Sequence, residues 1–112
     1  MNNNTSEEQI LAMKQAATQT ASLLKTLGNP DRLILLCQLT QGEACVSELE
    51  EQLGIQQPTL SQQLTVLRNE GLVTTRRDGK RIYYAIADEK LFTLLNTLYL
   101  LYCPVKANGY DD

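Results

Sequence analysis

Between Gln57 and Arg68 the chain carries Thr59, Ser61, Gln62 and Thr65, short hydroxyls and amides that both donate and accept hydrogen bonds. Leu60, Leu64 and Leu67 follow a 4-then-3 spacing, which predicts a helix over 57–70 with the leucines inward and the polar set outward. Such a face suits base edges in a major groove. Just beyond it, Arg76, Arg77, Lys80 and Arg81 surround Asp78-Gly79. That dipeptide predicts a tight hairpin turn, with Lys80-Arg81 opening the return strand. Four cations around one turn suit phosphate oxygens. The candidate DNA contacts are therefore Gln57, Thr59, Ser61, Gln62, Thr65 and Arg68 on the helix, and Arg76, Arg77, Lys80 and Arg81 on the hairpin. A solvated helix beside a charged hairpin is the plainer alternative, disfavoured because no linker separates the two halves.

The second available chemistry belongs to three thiols, Cys37, Cys45 and Cys103. Taken alone, Cys37 in an apolar helix reads as a small core residue, and Cys103 before Pro104 as filler at a helix end. Cys45 reads as a bystander in the loop before the third helix. Nothing in the spacing brings any two together. A thiol enzyme such as a small peroxidase or sulfurtransferase is disfavoured. The chain has no histidine to act as base, no Cys-x-x-Cys pair and no Gly-rich cofactor loop.

These residues need elements to hold them. Ile10, Met13, Ala17, Thr20, Leu24 and Leu27 recur at helical spacing and predict a first helix over Glu7 to Leu27, stopped by Gly28-Asn29-Pro30. Asp31 to Thr40 is apolar nearly all round and reads as a central, fully buried helix. Ser47 is the expected cap of a short third helix ending at Gly54, and Asp88 that of a last helix reaching about Tyr102. The last helix carries more leucines than one face requires, so a second copy of the chain is the simplest cover. The order predicts a mainly α fold with a two-stranded β wing: a winged helix-turn-helix of five helices, dimeric.

Composition agrees. At 112 residues there is one domain, with expected bounds of 7–104 between a disordered 1–6 and a loose 105–112 tail. Net charge is −3, yet residues 57–86 alone carry +3, so the positive field is local to the proposed contact surface. One phenylalanine and five tyrosines make a base-stacking platform improbable. The polar start lacks the regions of a signal peptide and no apolar run suffices for a membrane span, so the expectation is a cytoplasmic protein.

From about Ala16 to Cys103 the chain resembles the winged helix-turn-helix repressors of the ArsR–SmtB family. The resemblance rests on Leu23 to Leu33, on Pro58-Thr59-Leu60-Ser61-Gln62-Gln63-Leu64 and on Leu67-Arg68-Asn69-Glu70-Gly71-Leu72-Val73. Gln63 stands where histidine is commonest, a departure expected to alter base preference. The resemblance implies a homodimer that leaves double-stranded operator DNA when an inducer arrives. The family's zinc sites draw on histidine, absent here, so no metal site of that kind and no cofactor is expected. Its arsenic-type site keeps only Cys45 of three thiols. The placing of Cys37 and Cys103 is similar to the cysteine pair of the BigR branch, which implies sensing of a persulfide or polysulfide inducer and control of sulfide detoxification genes. The nearest alternative is a thiophilic metal or organometal held by Cys37 and Cys103, with or without Cys45.

Overall fold

A computed structural model describes residues 6–103. The elements run α1 (Glu7–Leu27), α2 (Pro30–Leu39), β1 (Ala44–Cys45), α3 (Val46–Leu53), α4 (Gln57–Asn69), β2 (Val73–Asp78), β3 (Arg81–Ile86) and α5 (Glu89–Tyr102). The five expected helices are present. The ends expected to be disordered lie outside the described residues, except Ser6, which is the ordered N-cap of α1. Its Oγ accepts from the Gln9 backbone N–H at 3.1 Å, and the Gln9 side chain accepts from the Ser6 N–H at 2.9 Å. This reciprocal box satisfies two donors that the first helical turn leaves open.

The core is a cluster of leucines where α2, α3, α4 and α5 meet. Leu35, Leu36, Leu49, Leu60, Leu64, Leu67 and Leu95 are fully buried. Burying each such side chain contributes on the order of 2 kcal/mol, so these seven outweigh any single surface contact. The 60/64/67 spacing thus faces inward as predicted. Helix α2 departs from expectation. Leu35, Leu36 and Leu39 are buried, but Ile34 is 48% exposed and Leu33 and Cys37 are half-buried. An apolar sequence all round cannot show which side lacks a neighbour.

Helix α4 ends in a Schellman motif. Leu72 N–H donates to the Leu67 carbonyl at 2.9 Å and Gly71 N–H to that of Arg68 at 3.0 Å. Gly71 adopts φ 75°, a left-handed conformation that costs a side-chain-bearing residue more. The chain then enters the wing without a linker. Strands β2 and β3 pair antiparallel from Val73↔Ile86 to Asp78↔Arg81, leaving Gly79-Lys80 as a two-residue loop with positive φ at Gly79 only. That is the pattern of a II′ turn, centred one residue later than Asp78-Gly79 suggested, and Lys80 belongs to the turn rather than to the return strand.

The wing is part of a three-stranded sheet, not a two-stranded one. Strand β1 adds to the other edge of β3 through Ala44↔Tyr84 and Cys45↔Tyr83, giving the order β1-β3-β2. Two residues between helices carry no alternation from which a strand could be read. Cys45 is accordingly a buried strand residue and not a loop bystander. It also replaces Ser47 as N-cap of α3: its backbone N–H donates to Glu48 Oε1 at 3.0 Å, while Ser47 lies inside the helix.

Helix α1 stands apart. Every residue from Glu7 to Ser22 is exposed, among them Leu11 at 59% and Met13 at 56%. The radius of gyration is 17.0 Å, against roughly 13 Å for a compact chain of this length.

Candidate functional site

Two regions carry chemistry. In the first, α3 and α4 are joined by Gly54-Ile55-Gln56, with Gly54 closing α3 in a left-handed conformation at φ 69°. Leu60, Leu64 and Leu67 anchor α4 inward and leave Gln57, Ser61, Gln62, Thr65 and Arg68 exposed, with Thr59 half-buried near the helix start. Thr65 Oγ1 donates to the Ser61 carbonyl at 2.8 Å. Its hydroxyl proton is engaged, which leaves Thr65 best suited to accept. Gln63 turns the other way, toward α2: its Oε1 accepts from Arg32 Nη1 at 3.2 Å. The departure from histidine therefore alters a helix–helix brace rather than the outward face of α4.

The wing separates its cations. Cross-strand partners share a face, so Arg76 lies with Tyr83, and Arg81 with Asp78, while Arg77 pairs with Ile82 on the opposite face. Arg76 is a structural tie. Its guanidinium binds both carboxylate oxygens of Glu43, with Nε at 2.9 Å from each. It also stacks 4.6 Å from the centre of the Tyr83 ring and approaches Asp78 at 3.9 Å. Hydrogen bonding from Arg76 holds the Glu43 carboxyl below its usual range. Arg77, Lys80 and Arg68 are exposed and form no ion pair among the described residues. Hydrogen bonding to Tyr83 reinforces the charge of Arg81. Glu43 was invisible to sequence reasoning, since 33 residues separate it from Arg76.

The second region is an open cleft of about 870 Å³ between α2 and α5. Cys37 and Cys103 both line it, together with Leu33, Ile34, Leu53, Leu98, Tyr99 and Tyr102. Cys37 is half-buried, and burial pushes its thiol above the ordinary range, with a smaller push from the charge of Cys103. Cys103 caps α5, its N–H donating to the Tyr99 carbonyl at 2.9 Å. Hydrogen bonding with the Cys103 side chain, first among the causes, keeps the Tyr99 hydroxyl protonated beyond its usual range. Sequence reasoning passed over Tyr99, although its placement four residues before Cys103 puts both on one side of a helix. Cys45 does not reach this cleft. It lies beneath the wing turn beside Lys80 and Arg81, with Sγ 3.2 Å from Ser47 Oγ. Among the described residues, no three His, Cys, Asp or Glu side chains gather where one metal ion could bind, and no helix is long and apolar enough to cross a membrane.

A polar-faced second helix of a helix-turn-helix, followed at once by a basic hairpin, defines a winged-helix DNA-binding regulator. Residues 29–75 match the family described as bacterial regulatory protein, arsR family. The chain is 53% identical to the biofilm growth-associated repressor of Agrobacterium fabrum, over 87% of this chain and 83% of that protein. Its fold superposes with a TM-score of 0.75 on the crystal structure of the transcriptional repressor BigR from Xylella fastidiosa. That match is 52% identical and covers 82% of this chain and 91% of that one. Reduced HlyU from Vibrio cholerae gives a TM-score of 0.77 at 35% identity, over 82% and 97% of the two chains. The chain belongs to the ArsR family of winged-helix transcription regulators, with BigR-type repressors among its relatives. It is a DNA-binding regulator of this family, and the relatives it matches are transcription regulators.

Proposed function

We propose that the chain is a homodimeric repressor that leaves its operator when reactive sulfur species link Cys37 to Cys103, and that it governs sulfide detoxification genes. One observation carries this reading: a thiol on α2 and a thiol at the C-cap of α5 line a single cleft. The dimer places two copies of α4 in successive major grooves, roughly 34 Å apart. The exposed apolar residues of α1 and α5 supply the surface for pairing. A covalent tie between α2 and α5 joins the domain that carries α4 to the helix that sets the dimer geometry. A coupling of about 3 kcal/mol would lower operator affinity on the order of a hundredfold.

The chemistry balances without a further oxidant. The Cys103 thiolate attacks the sulfane sulfur of a persulfide RSSH, forming Cys103–S–SH and releasing RS⁻. The Cys37 thiolate then attacks the Cys103 sulfur, forming the disulfide and releasing HS⁻. Each equivalent of persulfide thus oxidises two thiols and leaves one thiol and one hydrosulfide. Burial keeps Cys37 largely protonated, which favours Cys103 for the first attack and Cys37 for resolution.

The test follows operator binding and intact mass in parallel. Cys37→Ser and Cys103→Ser should each bind operator and fail to release it under persulfide, whereas Cys45→Ser should respond as the parent does. Release by the Cys37→Ser, Cys103→Ser double variant would refute the dithiol reading. In the thiophilic-metal alternative, the place of Cys45 beneath the wing disfavours a three-thiol set and leaves Cys37 and Cys103 as the ligands, which a metal titration followed by absorbance separates from sulfur linkage.

A further inference from the structure

Reactive sulfur reaches proteins both as charged donors of the glutathione type and as uncharged organic polysulfides. The lining of the α2–α5 cleft distinguishes the two. None of its eleven described lining residues carries a formal charge as an acid or base of the Lys, Arg, Asp or Glu type. Its walls are Leu33, Ile34, Leu53 and Leu98, and besides the two thiols its polar groups are uncharged, the amides of Gln38 and Gln41 and the hydroxyls of Tyr99 and Tyr102. A glutathionyl group brings two carboxylates and an ammonium, and this lining offers no ion to pair with them. Moving unpaired charge against apolar walls is costly, whereas a hydrocarbon group gains by leaving water. At about 870 Å³ the cleft lies within the size range of small-molecule sites.

We infer that the cleft is a binding site for uncharged organic polysulfides, whose hydrocarbon groups rest on Leu33, Ile34, Leu53 and Leu98 while the sulfur chain meets Cys103 and Cys37. The inference deepens the proposed sulfur switch and rests on the reactivity of that thiol pair. For a dialkyl trisulfide RSSSR, the Cys103 thiolate attacks an outer sulfur, forming Cys103–S–S–R and expelling RSS⁻. The Cys37 thiolate then displaces RS⁻ from that mixed disulfide, closing the Cys37–Cys103 bond. Two thiols lose two electrons, and the trisulfide leaves as one hydropersulfide and one thiol after protonation by water.

The experiment compares diallyl trisulfide with glutathione trisulfide, which share the reacting group and differ in charge and apolarity. Rates of Cys37–Cys103 linkage in the reduced full-length protein are read by intact mass, each divided by the rate of the same reagent with N-acetylcysteine amide. The uncharged reagent should be favoured by roughly tenfold or more. Ile34→Lys places a cation at a site already 48% exposed and should narrow that ratio by speeding the glutathione reagent. Equal normalised rates, or preference for glutathione trisulfide, would overturn the inference. So would failure of diallyl trisulfide to link the two cysteines, and failure of both reagents would sink the thiol-pair reading beneath it as well. Because linkage is read by mass, a selective linkage that leaves operator binding intact would sink the regulatory reading while supporting this one.

Discussion

Arg32 clasps Gln63. From the start of α2, its Nε donates to the Thr26 carbonyl at 2.7 Å and its Nη1 to Gln63 Oε1 at 3.2 Å, tying the end of α1 to the middle of α4. A charged donor shared by two acceptors fixes the angle at which the DNA-facing helix leaves the core. Hydrogen bonds to charged groups contribute about 1.5–3 kcal/mol. Gln63→Ala should therefore lower the unfolding free energy by about 1–2 kcal/mol and weaken all operators alike. A binding-site selection that returned a changed base preference would contradict this assignment.

Specificity and general affinity should separate between α4 and the wing. Gln62→Ala is expected to relax one base position per half-site, costing about 1–3 kcal/mol there. Arg77→Ala should weaken every sequence equally and reduce the salt slope by about one unit. Arg76→Ala should change that slope less, because Glu43 already matches its charge. Titrations of binding against salt for the three variants check the ordering, and an Arg76 effect as large as that of Arg77 would defeat it.

Sedimentation at micromolar concentration should give twice the 12.6 kDa chain mass. Leu24→Asp alters a side chain that is 53% exposed on α1. It should shift the protein toward monomer with its helical circular dichroism preserved. A wild-type chain that sedimented only as monomer would end the dimer reading.

Cys37 predicts a pH dependence. Its folded-state pKa is raised above the ordinary 9.0, first by burial and then by the charge of Cys103. The contribution to stability is thus fully present below pH 9.0 and is lost as pH rises through the higher folded value. Between pH 8 and pH 10 or so, the wild-type urea midpoint should fall more than that of Cys37→Ser. In Cys103→Ser, the alkylation midpoint of Cys37 should move down toward 9.0 yet remain above it, since burial persists. Parallel urea curves for wild type and Cys37→Ser would argue that the thiol is solvated.

The sequence alone determined whatever depends on neighbours a few residues apart. Glu7–Leu27 and the α5 cap at Asp88 were legible because periodicity and capping are local, and Asp88 accepts from Leu91 N–H at 2.8 Å as such a cap requires. The inward leucines and outward polar face of α4 were legible for the same reason. Tertiary structure decided what depends on which element lies opposite. It buried one side of α2 and exposed Ile34, made Ala44–Cys45 a strand by giving it the free edge of β3, and turned Gln63 toward Arg32. It also drew Arg76 onto Glu43, and set Cys37 and Cys103 on one cleft although 66 positions separate them in the chain. Such pairings arise when distant segments bury a shared core, and that burial leaves no periodic mark in the residues it brings together.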